Sequence, residues 1–218
     1  TVIRNNVIES GSTDATGKYR VFTMNYQIPT VYMIEVTGGT DTITGLTNDH
    51  TLQAISTQQN AYDTGYAAIN ITPLTVILSK MITLSGTGTV NPTKIDSKTT
   101  ALIDALNITN QELKDDFIDT ESKTTTKLVQ EVVSTVNVIA ASGTTKTKEQ
   151  IYEDIAITIN DVTSGNSFDF TIESDIEDIV TKTTIGDQVL KDNTITYITN
   201  TNSAIDSVAD SQDYSTVQ

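Results

Sequence analysis

Cysteine and tryptophan are absent from this 218-residue chain, and histidine occurs once, as His50. Without thiols there are no disulfides, no thiolate zinc sites and no cysteine nucleophile. A single imidazole cannot build a histidine-rich metal centre, and it leaves a Ser-His-Asp triad with one possible base. Positive charge is scarce too: 13 Lys and Arg stand against 28 Asp and Glu, a formal charge of -15, and the arginines are only Arg4 and Arg20. Phosphate backbones and anionic membrane surfaces are bound by clustered cations, so both are excluded as partners. The longest apolar stretch, residues 69–84, is interrupted by Asn70, Thr72, Pro73, Ser79 and Lys80, and no membrane insertion is expected. The opening Thr1-Val2-Ile3, with no charged leader, reads as a mature or trimmed product.

Threonine is plentiful, at roughly a fifth of the residues, and Ile, Asn and Asp are also high. Thr and Ile favour strands, while Asn, Asp and Gly favour turns. An acidic, Thr/Asn-rich chain of this kind fits a protein secreted into salt water and kept soluble by self-repulsion.

Residues 1–73 are punctuated like a β domain. Strands are expected over residues 1–8, 18–26, 31–36, 51–56 and 67–72, with turn chemistry at Ser10-Gly11-Ser12 and Gly38-Gly39-Thr40-Asp41. Pro73 marks the exit from the sheet. Residues 74–218 change to a helical period. Leu74, Ile77, Leu78, Met81 and Ile82 share a face, Pro92 breaks the chain, and residues 97–106 form a short amphipathic helix. Thr109 with Glu112, and Thr147 with Gln150, are capping boxes. The strongest helix is expected over residues 123–141, closed at Gly143. Ser174 opens a short helix, and the last runs from about 187 to 209 with Val189, Leu190, Ile198, Ile205 and Val208 inward; a strand competes over 194–201.

Candidate sites are few. His50 follows Asn48-Asp49 with no nucleophile elbow to serve, and reads as a surface loop histidine. Acidic pairs such as Asp115-Asp116, Glu173/Asp175 and Glu177/Asp178 sit near helix ends, where they complement the macrodipole, and no catalysis is expected of them. Calcium is the most plausible ligand, because it takes hard oxygen donors. The best cluster is Asn5, Asn6, Glu9 and Asp14, with Asp41 and Asp49 as a second choice; the competing reading is that these residues build Asx turns. Asn70-Ile71-Thr72 and Asn107-Ile108-Thr109 match a glycosylation acceptor pattern. Gly38-Gly39 and Thr44-Gly45 frame a structural turn.

The order of several motifs carries a resemblance. Ser12-Thr13-Asp14-Ala15-Thr16-Gly17-Lys18-Tyr19 resembles the T-D-x-x-G-x-Y/F turn of carboxypeptidase-regulatory-like β-sandwich modules. Gly38-Gly39-Thr40-Asp41 with Thr44-Gly45 then forms a G-G-T-D-x-x-T-G turn, and Ile71-Thr72-Pro73-Leu74-Thr75 leads into helices. Ala105-Leu106-Asn107-Ile108 and the stretch Val129 to Ala140 follow. Together these resemble a module of secreted bacterial surface proteins. The resemblance implies an extracellular or cell-surface location, no catalysis, a first strand missing here, and a calcium-loop insertion shortened here to residues 5–11. A missing strand leaves a sheet edge to be covered by strand addition from a neighbouring copy or from the chain's own terminus.

The expected fold class is α+β: a partial antiparallel β-sandwich over residues 1–73 followed by an α-helical bundle over 74–218. The expected function is a non-enzymatic extracellular subunit that polymerises with its own copies into a filament, tube or surface layer. The alternative is an adhesive or glycan-binding module of a larger cell-surface protein, using some of Tyr26, Tyr32, Tyr62 and Tyr66.

Overall fold

The structure, a computed structural model, describes residues 2–4, 7–9, 11–14, 31–40, 47, 49, 51–57, 70–84, 90–114, 122–162 and 165–208. Among the described residues four strands come first: β1 (Val2–Arg4), β2 (Val7–Glu9), β3 (Val31–Val36) and β4 (Leu52–Thr57). Seven described helices follow: α1 (Pro73–Leu84), α2 (Pro92–Leu106), α3 (Asn110–Lys114), α4 (Lys123–Ala141), α5 (Lys148–Asn160), α6 (Glu173–Lys182) and α7 (Gln188–Asp206).

The strands make one antiparallel sheet in the order β2-β1-β3-β4. β3 and β4 form the longest ladder, from Val31 opposite Thr57 to Val36 opposite Leu52, and β1 and β2 pair over all three of their residues. β1 pairs with β3 at Val2–Ile34 and Ile3–Met33. Gly38 and Gly39 leave β3 at φ of 70° and 91°, the left-handed region that glycine enters freely, and a Thr40–Thr47 bridge narrows the excursion.

The expected β-sandwich followed by a bundle is therefore overturned. The described residues are mostly helical, with a single small sheet. A sandwich needs a second sheet laid on the first, whereas the layer on β4 is helix α1. Val31, Leu52 and Ile55 pack against the helical core rather than against other strands. The alternating Thr/Ile pattern that suggested many strands is satisfied in large part on helices, where tertiary burial overrides β-propensity.

α1 explains the arrangement. Leu74 to Ser79, Met81 and Ile82 are all buried, so the helix is covered on nearly every side and sits at the centre of the fold. It packs on β4, α5, α2 and α4. Pro73 occupies its first turn, where the missing N–H is no loss, and the Thr72 and Thr75 hydroxyls each accept the other residue's backbone N–H at 3.3 and 2.9 Å. The buried Ser79 hydroxyl donates to Thr75 O at 2.8 Å.

Around it, the capping boxes form as read. Glu112 accepts the Thr109 N–H at 2.7 Å and Thr109 Oγ1 accepts the Glu112 N–H at 3.1 Å. Thr147 and Gln150 exchange the same pair of bonds at the head of α5. Two local expectations fail. Pro92 starts α2 instead of breaking the chain, because Asn91 Oδ1 caps Lys94 N at 2.9 Å. α6 begins at Glu173, ahead of Ser174. The last helix forms as expected, and over residues 194–201 it prevails over the competing strand. The expected strand over 18–26 lies outside the described residues, as do Asp115 and Asp116. Among the described residues no helix is long and apolar enough to cross a membrane.

Candidate functional site

The most constrained surface feature is strand β4 and its approach. α5 presents Lys148, Glu149 and Glu153 along its length. Lys148 Nζ donates to Asp49 Oδ1 at 2.7 Å, and Glu149 Oε1 accepts the Thr51 backbone N–H at 3.2 Å, fixing the chain just before β4. Glu153 accepts from Lys80 Nζ at 3.0 Å and ties α5 to α1. Across the ladder, Gln53 Nε2 donates to Glu35 Oε1 at 2.8 Å, a cross-strand pair in register. β4 thus packs on α1 and pairs with β3, and the chain just before it is tied to α5. Among the described residues it is the last strand in the sheet order, next to β3. β2, at the other edge, offers three residues.

The candidate metal ligands are scattered relative to this edge. Asn5, Asn6 and Asp41 lie outside the described residues, as does His50. Glu9 ends β2 opposite Val2. Asp14 is exposed. Asp49 is engaged by Lys148. Among the described residues no three His, Asp or Glu are placed to hold one metal ion. Tyr32 is buried in β3 rather than lining a pocket, and Tyr26, Tyr62 and Tyr66 lie outside the described residues. A shallow pocket of about 200 Å³ is lined by Met81, Leu84, Ala156, Ile157 and Asn160. Asn107, of the second acceptor pattern, is exposed in the left-handed cap of α2 at φ 52°.

Two buried ionic positions escaped the sequence reading. Lys146 Nζ donates to both Asp154 oxygens, at 2.7 and 2.6 Å, and to Lys182 O at 2.6 Å, so one ammonium joins α5 to the end of α6. Burial raises the Asp154 carboxyl above its ordinary range, and Lys146 opposes that. Glu131 is 6% exposed in the seam between α4 and α7. Its surroundings push its pKa up to about 8: burial first, then Asp206 and Asp169, with Lys127 opposing. One turn along α4, Thr135 accepts from the fully buried Asn202 Nδ2 at 3.0 Å, and the same amide donates to Phe170 O at 2.9 Å. Glu131 lies three and four residues from Leu128 and Thr135, within the buried stripe; that spacing is the signal that could have found it.

The fold that carries these features is a mostly helical assembly around one small antiparallel sheet. No protein-family model matches the chain, and no curated protein or solved structure matches it either.

Proposed function

We propose that this chain is a non-enzymatic, extracellular structural subunit that joins copies of itself by adding a strand at the outer side of β4. The observation that carries the reading is the edge itself: six residues in full register with β3, packed on α1, and last in the sheet order among the described residues. Main-chain donors and acceptors so held are a template for an incoming strand of about 20 Å. The order of motifs that resembles secreted surface modules supports the location, and the charge of -15 supports a role where salt screens repulsion between copies.

A strand donated to β4 from a different segment of the neighbouring copy makes a head-to-tail contact, which propagates as an open polymer when its rotation does not close into a ring. Negative-stain microscopy of the full chain at high concentration and salt tests the reading. Regular filaments, tubes or sheets are the expected result. Dispersed single particles under all salt conditions would overturn it and favour an adhesive module.

A further inference from the structure

The sequence pattern places Val189 and Leu190 in the core, and the structure places them outside, 69% and 41% exposed, with Tyr197 at 62% on the same helix. The exposed face of α7 continues through Asn193, Thr196, Asn200, Ser203 and Ala204. From Asn193 to Ile205 the helix carries no charged residue, although the molecule carries a formal charge of -15. Leu190, Asn193, Tyr197, Asn200 and Ala204 follow the 3-4-3-4 spacing of a helix–helix seam, about 21 Å long at the α-helical rise.

We propose that this face of α7 is a two-fold docking surface for a second copy of the same chain, the two α7 helices running antiparallel with Tyr197 near the axis. Charge selects the occupant. Two strongly acidic copies repel wherever their carboxylates meet, and this window lets them approach without burying one. The helix dipoles select the direction. The seam positions carry no charge of their own, and antiparallel helices oppose their dipoles favourably whereas parallel helices align them. Leu190 then lies toward the small-residue end of its partner, at Ser203 and Ala204, so a large side chain meets small ones. A single-helix seam of this length is smaller than a standard stable interface, and the dimer is accordingly weak and strengthened by salt. This contact is closed and two-fold, so it is independent of strand addition at β4 and would cross-link or pair strands of a polymer built there.

The chain's lack of cysteine makes the test direct. Single variants Leu190→Cys, Tyr197→Cys and Ala204→Cys, each checked for unchanged helicity and melting temperature, are oxidised alone and in mixtures. Tyr197→Cys is expected to cross-link with itself, and Leu190→Cys with Ala204→Cys in preference to either alone. In sedimentation, Tyr197→Glu and Tyr197→Lys should each weaken dimerisation about tenfold or more, and their mixture should restore it. Absence of dimer at any concentration or salt, self-cross-linking of Leu190→Cys in preference to the mixture, or unchanged dimerisation of both charged variants would each overturn the proposal.

Discussion

Replacing Glu131 with Gln converts a buried carboxyl into a neutral amide of nearly equal shape. In the unfolded chain the carboxyl loses its proton near 4.5, and in the folded chain it holds the proton to about 8. Between those values the folded state binds more protons, so stability falls as pH rises, by about 1.4 kcal/mol for each pH unit. The accumulated loss is about 3 kcal/mol at pH 7 and roughly 5 kcal/mol above pH 8, where it levels off. E131Q does not titrate. Its amide must find partners in the same seam, a penalty of about 1–3 kcal/mol that does not change with pH. The stability of E131Q relative to the parent chain should therefore climb from a deficit at pH 4.5 to parity or a gain at pH 7, and reach its ceiling by pH 9. Urea denaturation followed by circular dichroism at pH 4.5, 6, 7, 8 and 9 measures this. A difference that stays flat across the series would refute the buried, proton-holding state of Glu131.

Other outcomes follow from neighbouring contacts. Lys146→Met strands the Asp154 carboxylate in a buried site and should cost about 3–5 kcal/mol at pH 7 by urea denaturation. The loss should shrink as pH falls, because burial raises the Asp154 carboxyl and protonation then removes the unpaired charge that the variant strands. Thr184 adopts φ 59° just past α6, a conformation costly for a β-branched residue. Thr184→Gly should stabilise the chain by about 1 kcal/mol, read as a higher melting temperature.

Local signals in the sequence translated well where the chemistry is local. The Thr109–Glu112 and Thr147–Gln150 boxes need only a hydroxyl and a carboxyl or amide three residues apart, and both form. The long stripe of α4 and the strand at Val31–Val36 also appear. Over 194–201 the expected helix prevails over the competing strand because Ile195, Ile198 and Asn202 bury against the bundle. What failed depended on partners distant in sequence. Val189 and Leu190 look like core by composition, yet α7 turns that face outward and buries Thr194 instead. The layer on β4 proved to be α1, since nothing in residues 52–57 states whether a strand or a helix will cover them. Of the six candidate ligands, Glu9, Asp14 and Asp49 are among the described residues, and Asp49 forms an ion pair with Lys148 from 99 residues away.

The central claim, that β4 is the joint between copies, is tested most directly by amide hydrogen exchange of residues 52–57 in dispersed and in assembled protein. Alternate amides of a strand point to opposite sides, so those bonded to β3 should be protected in both samples. The intervening amides should exchange fast in dispersed chains and slow by at least a hundredfold on assembly. Equal exchange of those amides before and after assembly would contradict the account.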